Sequence, residues 1–184
     1  SVSGKVVKID SILMQNGSKA QTVIIESDGQ QTVDPSIKAP VINSDADLIK
    51  AVHDSGLVGL GGAGFPTHIK ISPKPEVKAA IDHLLINAAE CEPYLTPDVR
   101  QILEDSENVV EGMKLVAKLL DVKYAVIGIE DNKPEAIKLM TELLAQVKID
   151  GITFKVETLP SRYPQGAEKV LIDQCTGRQV PPGK

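Results

Sequence analysis

The sequence predicts an α/β fold, a parallel sheet with helices packed on it, preceded by a short β segment. Two observations carry this. The short apolar run at 84–86 fits a buried strand, and residues 124–129 and 152–158 read as further strands. Around them apolar residues recur at helical spacing: Val109, Met113, Val116 and Leu120, then Ile137, Met140, Leu144 and Val147. Strands that alternate with helices are joined by crossovers, and crossovers make parallel sheets. Ligands in such sheets sit beyond the carboxyl ends of the strands, so the loops after residues 86 and 158 are expected to face a site.

The β segment comes first. Residues 5–9 and 21–25 are β-branched runs, and Asn16–Gly17 between them can supply the positive φ of a tight turn. Two strands cannot bury a face alone, so they are expected to pair with something else. Residues 29–40 are polar, contain Pro35 and Pro40, and read as a linker. The expected division is therefore 1–40 and 41–184. Ser44 with Asp47 three residues on reads as a capping box, opening a helix that stops at Gly56. Thr96–Pro97 is an N-cap followed by Pro at the first helical position. Helices are expected over 107–120, 133–147 and 167–175.

Composition excludes several functions. The chain has 184 residues, 42% of them hydrophobic and 24% charged, which is globular and not disordered. A net charge of −5, aromatics at 3% and no Trp argue against a nucleic-acid partner, because basic and acidic residues interleave and stacking platforms are scarce. No apolar run approaches the roughly 18 residues of a membrane-spanning helix. Cys91 and Cys175 match no metal spacing and no disulfide framework, which points to a reducing compartment. The chain starts at Ser1 without Met and ends in Pro-Pro-Gly-Lys, and is expected to be a piece of a longer protein.

The strongest local signal is GLVGLGGAGFPT at 56–67. Gly59, Gly61 and Gly64 satisfy G-x-G-x-x-G, but a helix precedes the loop and Pro66 follows it, against a Rossmann reading. No Gly-Lys-Ser/Thr closes it as a P-loop. Gly59, Gly61, Gly62 and Gly64 nonetheless strip side chains from one stretch of backbone, freeing N–H donors for a flat or anionic ligand. Lys70 could add a cation for a phosphate. A mobile loop or a close backbone crossing is the competing reading.

Two further segments are chemically pointed. Asn87, Glu90 and Glu92 lie at a predicted strand end, where an amide suits a heteroaromatic edge and carboxylates suit ribose hydroxyls. Acidic residues before a helix are also ordinary. Tyr163, Gly166 and Glu168 follow the last strand and offer a stacking face, a close approach and a carboxylate; alone they read as a turn into a helix. Cys91 lies between two glutamates, which disfavour its thiolate. Cys175 reads as helix packing. His53, His68 and His83 show no metal pattern, and only His68 adjoins the glycine loop.

Together GLGGAGFPTHIK at 59–70, INAAECEPYLTPD at 86–98, YPQGAEK at 163–169 and TGRQVP at 176–181 resemble RnfC, the NADH-handling peripheral subunit of the bacterial Rnf ion-translocating complex. The same domain is similar to the flavin-bearing subunit of respiratory complex I, and the β segment resembles the barrel-sandwich (lipoyl-like) segment that precedes it. The resemblance implies FMN bound non-covalently, with NADH stacked on it as substrate. Gly59, Gly61, Gly62, Gly64 and Lys70 would hold the FMN side. Asn87 and Glu90 would contact the flavin and its ribityl chain. Phe65, Glu92, Tyr163 and Glu168, with Gly166 between the last two, would be on the nicotinamide nucleotide side. Implied partners are the other Rnf subunits and, indirectly, ferredoxin. The implied location is cytoplasmic, peripheral to the cell membrane through those subunits, with no direct insertion. The sequence departs from the pattern. It lacks the cysteine-rich segment that would ligate iron–sulfur clusters, which the parent protein would carry elsewhere. It is also expected to stop before the segment that completes the flavin pocket in the family, and it has Ile71–Ser72 where complex I subunits carry an aromatic shortly after the lysine. The alternatives are a soluble RnfC-like reductase (a cobalamin reductase or a donor to an amino-acid reductase) and an assembly module that binds no nucleotide.

Overall fold

A computed structural model describes residues 2–14, 16–60 and 64–183. The chain divides into two compact units, Ser1–Ile42 and Asn43–Lys184.

The first unit is an antiparallel ribbon of β1 (Gly4–Leu13) and β2 (Lys19–Ser27). At the turn, Asn16 Oδ1 accepts from the Ser18 N–H at 3.0 Å, and Gly17 takes φ +80°. The register shifts between Val6 and Lys8, with Val7 as the extra residue. Such a bulge turns the strand by one position. Val6 and Ile9, three residues apart, therefore share a face, paired with Ile25 and Val23. All four are exposed. The ribbon leaves its apolar face uncovered, as the two-strand argument requires.

The second unit holds the expected parallel sheet, in the order β3 (His83–Ala88), β4 (Tyr124–Glu130), β5 (Thr153–Leu159). β4 is central, and every residue after Tyr124 is buried, as expected of a strand covered on both faces. Its side chains alternate between two cores. Ala125, Ile127 and Ile129 pack with Met113, Ala117 and Leu120 of α4 (Pro97–Leu120) and with Ala136, Met140 and Leu144 of α5 (Pro134–Gln146). Val126 faces the other way, toward Leu159 and toward Leu171 and Cys175 of α6 (Glu168–Thr176). Gly128 lies on that second face. A Cβ there would meet Leu159 Cδ1 at 2.8 Å and Leu171 Cδ1 at 3.0 Å, so its absence lets α6 approach the sheet. Burial pushes the Cys175 thiol up to about 11, consistent with the packing role expected of it.

The remaining helices lead into the site. α1 (Asp45–Asp54) opens on the expected capping box: Ser44 Oγ accepts from the Asp47 N–H at 3.2 Å, and Asp47 Oδ2 accepts from the Asn43 N–H at 3.1 Å. α2 (Thr67–Lys70) and α3 (Pro75–Lys78) are single turns the periodicity does not register, because four residues are too few to show a period. α4 contains the expected helix over 107–120 and a preceding stretch that starts at Pro97; they meet at a kink at Asp105, whose φ is −144°. Asp105 accepts from Gln101 Nε2 at 2.9 Å and from Asn108 Nδ2 at 2.8 Å across it.

Candidate functional site

The glycine loop runs from α1 into α2. Its neck is closed by two backbone bonds, Gly59 N–H to Phe65 O at 2.8 Å and Thr67 N–H to Leu57 O at 3.1 Å. Gly64 takes φ +61°, in the left-handed region, and a Cβ there would meet nothing within 4 Å. Glycine is needed at 64 for the backbone conformation and not for space. Gly61 and Gly62 lie outside the described residues. Lys70 Nζ stands 5.9 Å from the centroid of the Phe65 ring, within cation–π range.

At the carboxyl end of β3 the chain uses its polar residues on itself. Asn87 Nδ2 donates to Gly166 O at 2.9 Å, and Asn87 Oδ1 accepts from the Ala89 N–H at 3.2 Å. The Gly166 N–H donates to Cys91 Sγ at 3.3 Å. A Cβ on Gly166 would lie 2.6 Å from Ala89 O. The close approach expected at Gly166 is here one of protein backbone to protein backbone. Glu90 too is bonded within the protein. Its side chain is only 3% exposed, and both oxygens accept from the N-terminus of α4: Oε1 from the Asp98 N–H at 2.7 Å, Oε2 from the Val99 N–H at 3.2 Å. Lys133 Nζ lies 4.0 Å from the same carboxylate. Glu90 is thus a buried cap at the start of α4.

Two clefts gather the other candidates. The larger, about 980 Å³, brings Phe65, Lys70, Asn87 and Glu168 together from three segments distant in sequence. Asp82 and Arg178 share it. The smaller, about 370 Å³, lies at the carboxyl ends of the strands and holds Glu90, Glu92 and Tyr163, with Tyr94, Glu130 and Lys133 beside them. The contact of Asn87, Gly166 and Cys91 stands between the two.

Sequence reasoning missed several of these residues. Arg178 makes a bidentate pair with Asp82, Nη1–Oδ1 at 2.7 Å and Nη2–Oδ2 at 2.6 Å, which ties the segment after α6 to the start of β3. His83 Nδ1 lies 2.7 Å from Asp82 Oδ1, and its ring stacks on Tyr124. The Arg178 guanidinium first, then His83, hold the Asp82 carboxyl well below the usual carboxylate range. A lowered value means that the pairing contributes stability above the unfolded carboxylate value of about 4 and loses it as pH falls further. Acid unfolding of the native chain is therefore expected to steepen between about pH 4 and 2, and Arg178→Leu to flatten that part of the profile. An unchanged acid limb in the variant would count against the pair.

Glu130 ends β4 at 1% exposure, and burial pushes its carboxyl above the usual range against the pull of Lys133. Its Oε2 has no hydrogen-bond partner, and neither has Nε2 of the fully buried Gln165. The available signal was a carboxylate closing an otherwise apolar strand. Among the described residues there is no metal-binding group of His, Cys, Asp and Glu, and no helix long and apolar enough to cross a membrane.

Comparison with known proteins bears on this geometry. Residues 52–184 match the family model of the Nuo51 FMN-binding domain. The whole chain is 43% identical to a subunit of the proton-translocating ferredoxin:NAD(+) oxidoreductase complex of Clostridium ljungdahlii, covering 39% of it. It is 45% identical to the corresponding subunit of the Na(+)-translocating ferredoxin:NAD(+) oxidoreductase complex of Acetobacterium woodii, covering 41% of that protein. The chain thus spans about two fifths of the length of these curated relatives. In fold it is similar to a chain of an NAD+-reducing NiFe-hydrogenase crystallised in the H2-reduced state, with TM-score 0.60, 24% identity, and coverage of 77% of this chain and 26% of that one. The air-oxidised form of the hydrogenase gives the same TM-score of 0.60.

Proposed function

This chain belongs to the Nuo51 FMN-binding domain family, and from that premise we propose that it is the flavin- and NADH-handling part of an RnfC-type electron-transfer subunit. One observation carries the proposal: the larger cleft assembles Phe65, Lys70, Asn87 and Glu168 in a volume of about 980 Å³, ample for a flavin mononucleotide. The donor set fits that group. Lys70 offers an ammonium to a phosphate, Phe65 a ring beside it, and Asn87 an amide beside the strand end. Bound there, FMN supplies hydride acceptance and release of electrons one at a time.

The chain's own part is alignment. Phe65 and Glu168 face the larger cleft from opposite segments and bound the space beside the flavin. Glu92 and Tyr163 are assigned to the nicotinamide nucleotide from the smaller cleft. Asn87 fixes the wall between the clefts through Gly166, and Glu90 fixes the loop through α4. Held this way, a nicotinamide is positioned against the flavin without a protein nucleophile. The ribbon of β1 and β2 is read as belonging to a barrel-sandwich segment that precedes this domain.

The relatives' names support ferredoxin and NAD(+) as the redox partners of the whole protein and other members of the complex as its neighbours. They favour the complex-borne reading over a soluble reductase or a non-binding module. Iron–sulfur relay belongs, in this reading, outside the present span. Attachment to the cytoplasmic face of the membrane is through partner subunits.

FMN titration followed by flavin fluorescence, then addition of NADH, tests the reading. Saturable quenching and bleaching by NADH are expected. Glu168→Ala is expected to weaken NADH about tenfold while FMN affinity stays within about twofold, since one charged hydrogen-bonding group is lost on the nucleotide side. Equal losses for both ligands would overturn the assignment of Glu168.

A further inference from the structure

His53 lies in the last turn of α1 and His68 in α2, on either side of the glycine loop. They are fifteen positions apart in sequence, a spacing that belongs to no metal motif. The fold nonetheless brings their rings to 4.7 Å between centroids, at an interplanar angle of 80°. His53 is exposed and His68 half-buried, so an ion from solvent reaches both.

That separation is one a shared metal ion would set. An imidazole nitrogen ligates zinc at about 2.0–2.1 Å, which puts the ring centroid roughly 3.2 Å from the metal. Two such rings at ligand angles of about 90–110° have centroids about 4.5–5.2 Å apart. Free rings in edge-to-face contact cover a broader range, about 4.5–7 Å, so distance alone does not choose between the two. Asp54 supplies the second observation. Its Oδ1 lies 3.0 Å from His53 Nδ1, and a carboxylate only accepts. The neutral ring therefore carries its proton on Nδ1, and Nε2 is the bare nitrogen that a metal takes. A carboxylate behind a histidine is the outer partner that orients metal-ligating imidazoles. Lys50 pairs with the other oxygen of Asp54 and leaves this bond in place. His68 accepts from Ser72 Oγ through its carbonyl at 2.6 Å, and among the described residues its ring makes no hydrogen bond.

We propose that His53 and His68 form a two-imidazole site for a divalent transition ion of the zinc class, with Asp54 as the outer partner of His53. Imidazole suits such ions and not calcium or magnesium, which take oxygen ligands. Among the described residues no group of three or more His, Cys, Asp and Glu is placed to hold a metal, so water completes the coordination of this pair. The ion joins the last turn of α1 to α2. It thereby clips the neck of the glycine loop, beside the bonds from Gly59 to Phe65 and from Thr67 to Leu57. The site stands apart from the reading of the chain as a flavin and dinucleotide handler.

Calorimetric titration of the full chain with Zn2+ tests it. One ion per chain is expected. Asp54→Asn is expected to weaken binding about tenfold, the usual effect of losing an outer partner. His53→Gln and His68→Gln are each expected to weaken it further, since each removes a ligand. The chain has three histidines, and His83→Gln is the control, expected to keep the native affinity. NMR of the ring nitrogens is expected to show shifts on Zn2+ addition at His53 and His68 and none at His83. Amide exchange at Gly59 and Thr67 is expected to slow as the neck is clipped. No saturable binding up to millimolar Zn2+ overturns the proposal. Binding that survives in the double variant of His53→Gln and His68→Gln belongs to an adventitious ion only, and overturns it as well.

Discussion

Gly166→Ala is expected to destabilise the chain by about 2–4 kcal/mol and to abolish flavin binding. The added Cβ would lie 2.6 Å from Ala89 O, and 3.6 Å from Cys91 Sγ. The nearest obstacle is backbone at the end of a strand, so it cannot swing aside as a side-chain tip would. The loop between β5 and α6 must move instead. That movement strains the Asn87 Nδ2 bond to Gly166 O and the Gly166 N–H bond to Cys91 Sγ. Both clefts share this ridge, so both lose their shape together. Thermal unfolding and FMN titration on the same variant check the two halves of the expectation. A variant with native stability and native affinity would show that the loop relaxes at no cost.

Glu90→Ala is expected to cost about 3–4 kcal/mol, from two charge-assisted bonds lost at the start of α4. The Asp98 and Val99 N–H groups are left without their acceptor, and Lys133 loses its buried partner. Glu90→Gln is the informative control. Its amide keeps the shape and one acceptor oxygen but presents N–H₂ to the other backbone donor. An intermediate loss is expected for it, against the full loss for alanine. Denaturant unfolding of the three chains gives the comparison, and equal stability of the glutamine variant and the native chain would show that one oxygen suffices.

The sheet and the long helices were legible because a period repeats within each. β4 reads as apolar from Ala125 to Ile129, and α5 shows its stripe at Ile137, Met140 and Leu144 over several turns. The capping box at Ser44 was legible because its partners lie three residues apart. What the sequence hid are pairings over long separations. Arg178 and Asp82 are 96 positions apart, and Asn87 and Gly166 are 79 apart, so no local pattern announces either. Glu90 was legible as a polar group at a strand end. What the sequence did not show is the helix terminus beside it, which donates to both oxygens. Gly166 shows the same lesson: a missing side chain marks a close approach without saying what approaches. The gathering of Phe65, Lys70, Asn87 and Glu168 depended on how α2 and α6 pack, and only the fold shows that.

The uncovered ribbon has a consequence for how the chain opens. Val6, Ile9, Val23 and Ile25 are all exposed, whereas β4 is buried from Ala125 to Glu130. Amide protons of the ribbon are therefore released by small local fluctuations, and those of β4 only when the second unit unfolds as a whole. Hydrogen exchange separates the chain into a fast and a slow population, one for each unit. A single free energy of unfolding consequently describes the second unit, and not the chain.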